Sequence, residues 1–273
     1  MLAQKLEQAQ EKVLEVRNLT KVFGYGSSRV VAVDNVSFSI RKGEVISLLG
    51  ESGSGKTTVA RLILRLSRPT SGSILFRGAD IYSSIRRNSE AIEYWRHVQA
   101  IFQDPFASFN NFYGVKRVLN NAFRLVPNNL SAADKEERIR QALSNVGLNP
   151  DEVLKKRVHE MSGGQRQRIM IARVLLINPE ILVADEPTSM IDASSRVSIL
   201  NLLLDLRRTR GMSILFITHD IGLAYYTSDT LLIMNKGKIV EQGDAGDIIT
   251  NPRDPYTQKL LSDVPVIHKK WEL

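Results

Sequence analysis

The nine residues Gly50-Glu51-Ser52-Gly53-Ser54-Gly55-Lys56-Thr57-Thr58 restrict the folds open to this chain more than any other stretch. The apolar run Val45-Ile46-Ser47-Leu48-Leu49 precedes them, and residues 59–66, mostly aliphatic, follow. Those flanks predict a turn between a buried strand and a helix. Within the turn, the pattern G-x-x-x-x-G-K-S/T is met from Gly50 to Thr57. Glycine has no Cβ, so the backbone can curl until successive N–H groups point inward at one anion, and the following helix adds its positive end. A polyphosphate suits such a cradle. Lys56 then reaches the terminal phosphates, and the Thr57 hydroxyl holds a magnesium ion that keeps several of its waters. A Gly/Ser turn matching the string by accident would lack the strand before it and the helix after it.

Around this centre the chain alternates strands with helices. Residues 1–12 are polar and read as a leader, and residues 13–16 as a strand. Residues 21–26 look turn-like, and residues 30–40 alternate well enough for a second strand, with Val31, Val33, Val36, Phe38 and Ile40 interleaved with Ala32, Asp34, Ser37 and Ser39. Further strands are expected at residues 73–76, 98–102, 180–185 and 213–217, a helix near residues 194–208, and a hairpin-like pair around residues 235–238. From residue 113 to 177 no β-rich stretch appears, and Ile139, Ala142, Leu143 and Val146 recur at helical spacing. That segment, taken as about residues 104–177, is expected to be a helical insertion. The α/β alternation predicts a mainly parallel sheet covered on both faces, with an antiparallel β region at the N-terminal side.

A second chemical signal is Ile181-Leu182-Val183-Ala184-Asp185-Glu186, an apolar strand ending in two acids. Such a strand delivers its carboxylates to the carboxyl edge of the sheet, where open α/β folds bind ligands. Asp185 is suited to hold the magnesium shell, and Glu186 to orient and polarise an attacking water; an ordinary carboxylate is a weak base, so orientation matters more than proton affinity. The plainer alternative is an acidic strand end before a Pro-Thr turn. A third signal is Met161-Ser162-Gly163-Gly164-Gln165 ahead of a helix over residues 166–176. Ser162 can cap that helix, and the glycines bare further N–H groups, a second place able to hold phosphate. Both anion sites facing one nucleotide in one chain, or pairing across a dimer, are equally open on this reading.

Composition removes several chemistries. With no cysteine, disulfides, thiolate zinc sites, iron–sulfur clusters and cysteine nucleophiles are excluded, which suits a reducing compartment. The net charge of +8 is dispersed, with only short runs such as Arg86-Arg87, Lys155-Lys156-Arg157 and Lys269-Lys270, so a solvated basic surface is expected and no nucleic-acid partner. No apolar run reaches the roughly 18 residues of a spanning helix, and the first residues lack a secretory core.

Taken together, these residues resemble the nucleotide-binding subunits of ATP-binding cassette transporters, over residues 13–250. Residues 50–57 are similar to the family's Walker A loop, Gln103 to its Q-loop glutamine, residues 161–165 to its signature, residues 181–186 to its Walker B strand, Ser189-Met190-Ile191-Asp192 to its D-loop and His219 to its switch histidine. The resemblance implies a head-to-tail dimer in which Ser162, Gly163, Gly164 and Gln165 of one subunit close over ATP held by the other, with Asp192 at the same junction. It implies Glu186 as catalytic carboxylate, Gln103 as sensor of magnesium and water, and His219 as a contact of the γ-phosphate. Phe23 matches the aromatic that stacks on adenine; the residue pattern alone leaves core packing for Phe23, or stacking by Tyr25, open. The sequence departs from the family at Met161 (usually leucine), Met190-Ile191 (usually Ala-Leu) and Phe23 (usually tyrosine), none of which removes a reacting group.

Residues 251–273 resemble the C-terminal extension of the oligopeptide/dipeptide importer subfamily, with Asp254 where histidine is common, and residues 103–110 are similar to that subfamily as well. The implied protein is a motor at the cytoplasmic face of the membrane, using ATP and Mg2+ and no iron–sulfur cluster. It would work with a second cassette (a sister or itself), two membrane-spanning permease subunits and an extracytoplasmic solute-binding protein. Oligosaccharides, including β-glucosides, are the alternative cargo within the same subfamily. The aromatic group Phe102, Phe106, Phe109, Phe112 and Tyr113 is either core or a contact for the membrane partner. A soluble cassette ATPase acting on DNA or ribosomes would need a long coiled coil or a second cassette in the chain. A small-molecule kinase would leave Ser162 to Gln165 and His219 without work.

Overall fold

The computed structural model describes residues 11–104, 109–110, 112–126, 130–189, 191 and 193–263, without the side chains of residues 27 and 193–195. In order the elements are β1 (Lys12–Phe23), β2 (Val30–Arg41), β3 (Val45–Leu49), α1 (Lys56–Ile63), β4 (Ser71–Phe76), β5 (Ala79–Asp80), α2 (Asn88–His97) and β6 (Val98–Ile101). Four α-helices follow, with no strand between them among the described residues: α3 (Val115–Asn120), α4 (Ala132–Asn145), α5 (Pro150–Val153) and α6 (Gly163–Ile177). The chain then runs β7 (Ile181–Asp185), α7 (Ala193–Arg210), β8 (Ser213–Thr218), α8 (Ile221–Thr227), β9 (Thr230–Asn235), β10 (Lys238–Asp244), α9 (Ala245–Thr250) and α10 (Pro255–Ser262).

Two sheets result. The larger has the order β10-β9-β3-β8-β7-β6, parallel throughout except for β10, and the smaller is antiparallel with the order β2-β1-β4-β5. The central strands are buried at every position because successive side chains serve opposite cores. Leu182, Ala184, Ile214 and Phe216 pack toward α4, α6 and α7, whereas Ile181, Val183, Leu215 and Ile217 pack toward α1 and the antiparallel sheet. A third cluster, with Leu49, Leu231 and Ile233, seats α8 and α9.

Several local expectations shift. Residues 21–23 are the end of β1 and not a turn: Lys21, Val22 and Phe23 pair with Val33, Val31 and Val30, and register shifts on either side of Lys21 bend the strand enough to blur its alternation. Strand β9 lies beside β3 as a parallel neighbour. Helix α2 carries no strong apolar stripe in sequence; Tyr94 and Ala91 alone among its residues are buried, and the helix is fixed by Tyr94 Oη donating to Ile63 O at 2.6 Å and Trp95 Nε1 donating to Leu64 O at 2.9 Å. Of the aromatic group, Phe109 and Tyr113 pack against the core around α4 and α6, Phe102 against the opposite core, and Phe112 is 78% exposed. Phe106, Met190 and Asp192 lie outside the described residues, as do residues 1–10 and 264–273.

Candidate functional site

Four parallel strands end side by side, and the residues just past their ends make the site. β3 ends at Leu49 and delivers Gly50; β6 ends at Ile101, two residues before Gln103; β7 ends at Asp185, next to Glu186; β8 ends at Thr218, next to His219. Because β3, β8, β7 and β6 are consecutive neighbours, residues far apart in sequence meet along one edge.

The loop over residues 50–55 is held tightly from behind. A Cβ on Gly50 would stand 2.1 Å from Met234 O of β9, and one on Gly55, whose φ is +111°, would stand 2.2 Å from Ala32 O of β2. Only glycine permits these approaches. Gly237 N donates to Ser54 O at 2.9 Å while Gly237 O accepts from Asp34 N at 2.8 Å, so the β9–β10 turn pins the loop to β2. Lys56, at the start of α1 and 6% exposed, donates through Nζ to Gly50 O and Glu51 O, each at 2.7 Å. Burial lowers its pKa, against the opposing pull of Glu186, Asp185 and Glu51. An ammonium held by neutral carbonyls in a dry setting gains by exchanging them for phosphate oxygens.

Asp185 is 4% exposed, and the Thr57 hydroxyl beside its carboxylate favours the charged form. Burial raises its pKa; the Thr57 hydroxyl and the Lys56 charge oppose the rise without cancelling it. The charged carboxylate therefore costs the ligand-free fold stability. Below its unfolded value near 3.8 both states are protonated and the cost is absent; it grows as pH climbs through the raised folded value and remains above it. Asp185→Asn is accordingly expected to raise the melting temperature of the nucleotide-free protein at neutral pH. Melting curves against pH check this, because the gain must fade in acid.

Glu186 adopts φ +47°, a left-handed conformation that costs a non-glycine residue about 1–3 kcal/mol. Its N–H donates to Ile217 O at 2.9 Å, which ties the turn to β8. Its carboxylate then lies between His219 Nδ1, 2.8 Å from Oε1, and Gln103 Nε2, 3.4 Å from Oε2. The His219 side chain is 63% exposed and that of Glu186 only 15%, so the histidine caps a carboxylate otherwise enclosed by protein. In front of Gln103, Thr57 and Asp185 a cleft of 490 Å³ opens, lined also by Arg61, Leu66, Phe102, Asp104 and Arg173.

The Ser162 expectation is met at atomic detail: Ser162 Oγ accepts from Gln165 N at 3.2 Å and Gln165 Oε1 accepts from Ser162 N at 3.1 Å, a reciprocal cap on α6. Gly163 and Gly164 form the first turn of that helix. Among the described residues no hydrogen bond joins residues 162–165 to residues 50–58. Phe23 is 45% exposed at the end of β1, with Lys21 Nζ 4.9 Å from its ring centre, so core packing does not account for it; Tyr25 is 95% exposed.

Three contributors escape the sequence reading. Gln167, 1% exposed, donates through Nε2 to Pro187 O at 2.7 Å and so links α6 to the turn carrying Glu186. A glutamine among the apolar positions of a buried helix was the available signal. Gly237 acts as the loop clamp, and Arg173 reaches the cleft from α6; neither stands out in the one-dimensional pattern.

Comparison with known proteins gives matches along most of the chain. Residues 33–189 match the family model described as ABC transporter, and residues 240–273 the one described as Oligopeptide/dipeptide transporter, C-terminal region. The oligopeptide transport ATP-binding protein OppF of Streptococcus pyogenes serotype M1 is 43% identical over 256 residues, which is 94% of this chain and 83% of that protein. A putative peptide import ATP-binding protein of Brucella ovis is 43% identical over 253 residues, 93% of this chain and 78% of that protein. Among solved structures, the ATP-binding cassette MJ0796, dimeric in a post-hydrolysis state bound to ADP and Pi, superposes with a TM-score of 0.77 at 25% identity, covering 85% of this chain and 98% of that one. The cbiO1 protein of Clostridium perfringens, part of the ABC transporter complex cbiONQ, gives a TM-score of 0.75 at 27% identity, covering 89% and 92%.

Proposed function

The chain belongs to the ABC transporter family, and from that premise we propose that it is the ATP-hydrolysing subunit of an importer for oligopeptides. Its fold is the nucleotide-binding cassette, and its activity is that of an ABC ATPase driving import. The observation that carries the residue-level reading is Glu186 held between His219 and Gln103 beside the Thr57–Asp185 pair.

In this reading the backbone N–H groups of residues 50–58 and the Lys56 ammonium grip the phosphates of ATP. Thr57, Asp185 and Gln103 would hold Mg2+. One buried carboxylate, a hydroxyl and an amide suit a magnesium ion that keeps several waters and takes its other ligands from phosphate. A magnesium ion held by these residues would supply neutralisation of the phosphate charge. Glu186 orients the attacking water, and His219 fixes the Glu186 carboxylate through its 2.8 Å contact while facing the γ-phosphate. Phe23 lies open to stack on adenine.

Residues 162–165 close over the nucleotide of a second cassette, a sister subunit or a second copy. The dimeric ADP-bound state of MJ0796 supports that arrangement. A ligand that touches both subunits favours the closed pair by its differential affinity, and hydrolysis removes that preference. Among the described residues no helix is long and apolar enough to cross a membrane. In this reading the movement passes to two separate permease subunits at the cytoplasmic face, which the importer names of the relatives support. Gln103, Phe109, Phe112 and Tyr113 are the proposed contact region; Phe112 is open to receive a partner.

The cargo reading rests on the match of residues 240–273 and on the peptide-import names of the relatives, which favour peptides over oligosaccharides. Thermal-shift screening of the cognate solute-binding protein checks it. Short peptides are expected to raise its melting temperature, and cello-oligosaccharides to leave it unchanged.

A further inference from the structure

A cluster of arginines without ion pairs among the described residues lies outside the loop over residues 50–58 and the Glu186 cluster. Arg65 and Arg68 follow α1, Arg86 and Arg87 precede α2, and the four line one cleft of 610 Å³ with Tyr82, Ser83, Ile85, Asn88, Ala91 and Trp95. No acidic residue lines it. The neighbouring acids are held by backbone donors: Asp80 Oδ1 accepts from the N–H groups of Tyr82 and Ser83, and Glu90 Oε2 from those of Arg87 and Arg86, bonds that hold the Glu90 pKa low with a smaller contribution from the charges of those two arginines. None of the four arginines forms an ion pair among the described residues, although fifteen such pairs occur elsewhere.

The cleft is built on fixed supports. Tyr82 Oη donates to Leu62 O at 2.6 Å and contacts Ser67 O, and Trp95 Nε1 donates to Leu64 O, so two half-buried aromatics lock the segment that carries Arg65 and Arg68. Arg65 adopts φ +57°, donates through Nη2 to Ile85 O at 3.1 Å, and keeps a buried Nε without a partner. On α2, Ile92, next to the lining residue Ala91, is 45% exposed.

We propose that this cleft binds a phosphate-bearing anion. A single carboxylate is satisfied by one guanidinium fork, whereas a phosphate offers several charged oxygens and recruits more than one. Four forks around a cleft without acids fit the second. An anionic phospholipid headgroup and a soluble polyphosphate share this chemistry, and the exposed Ile92 suits contact with acyl chains beside the headgroup. The site is independent of the ATPase reading, since none of its residues belongs to the nucleotide loop or the Glu186 cluster.

The test compares the intact chain with Arg68→Glu/Arg87→Glu and with a charge-matched control, Lys155→Glu/Arg208→Glu, all saturated with Mg2+ and a non-hydrolysable ATP analogue so that the loop at residues 50–57 is filled. Co-sedimentation with vesicles containing phosphatidylglycerol, and calorimetric titration with tripolyphosphate, read the two sources. Binding in either arm that weakens at least about tenfold in the arginine variant and not in the control supports the site and names its source. Arg68→Gln/Arg87→Gln, with a melting temperature matching the intact chain, must show the same direction of loss, and ATP turnover must persist in both arginine variants. Absence of binding in both arms, equal loss in the control, or displacement of tripolyphosphate by poly-glutamate at equal charge concentration overturns it.

Discussion

Glu186→Gln is expected to lower ATP turnover by about a thousandfold while leaving ATP affinity nearly unchanged. Glutamine keeps the length of the side chain and its bond to His219 Nδ1, now 2.8 Å from Oε1. The charge and one acceptor are lost, so a water facing the γ-phosphate is no longer polarised toward attack. The residue contacts the nucleotide only through that water in the proposed arrangement, so the loss falls on kcat and not on binding. The strained φ of +47° is unaffected by the change of end group, and the fold should be intact. Rapid-quench turnover alongside equilibrium binding of labelled ATP measures both quantities; turnover within a few-fold of the unaltered subunit would remove Glu186 from its assigned work.

Lys56→Ala strikes binding itself. In the nucleotide-free fold the ammonium satisfies Gly50 O and Glu51 O and is nearly buried, so its removal costs both a charge-assisted phosphate contact and two carbonyl partners. A charge-assisted bond contributes about 1.5–3 kcal/mol, so ATP affinity should fall by about 10- to 100-fold. Lys56→Met separates the two effects, since it retains most of the volume and loses only the charge; both variants should show the affinity loss, with the melting temperature lower for alanine. Calorimetric titration with ATP decides, and unchanged affinity would contradict the role given to the loop.

The parts of this protein that were legible in sequence are those whose physics is local. A buried strand, a glycine turn and a helix follow one another within residues 45–66, and Ser162 with Gln165 caps a helix three residues away. The paired acids at Asp185 and Glu186 follow from an apolar run that stops at a sheet edge. What stayed hidden depends on pairing at long range. Residues 21–23 extend β1 because β2 pairs with them across irregular registers, and helix α2 is fixed by Tyr94 and Trp95 bonding to the α1 terminus. Gln167 bonds to Pro187, and Gly237 to Ser54 and Asp34, contacts that no spacing rule contains. The neighbourhood of Gln103, Glu186 and His219 was assigned through family resemblance; the strand order supplies its physical reason, since β6, β7 and β8 are adjacent and end together. The arginine cleft was equally invisible, because Arg65 and Arg68 join Arg86 and Arg87 only after β4 and β5 have folded back.

Two phosphate-gripping surfaces on one chain that meet over the same nucleotide only between subunits form the central claim, and sedimentation velocity of the Glu186→Gln subunit tests it most directly. Run alone and mixed with the second cassette of its transporter, it should be monomeric without nucleotide and paired in Mg2+-ATP, and a further Ser162→Arg change should abolish the pairing without lowering ATP affinity. ATP-saturated subunits that stay monomeric in both preparations, or pairs indifferent to Ser162→Arg, would contradict it.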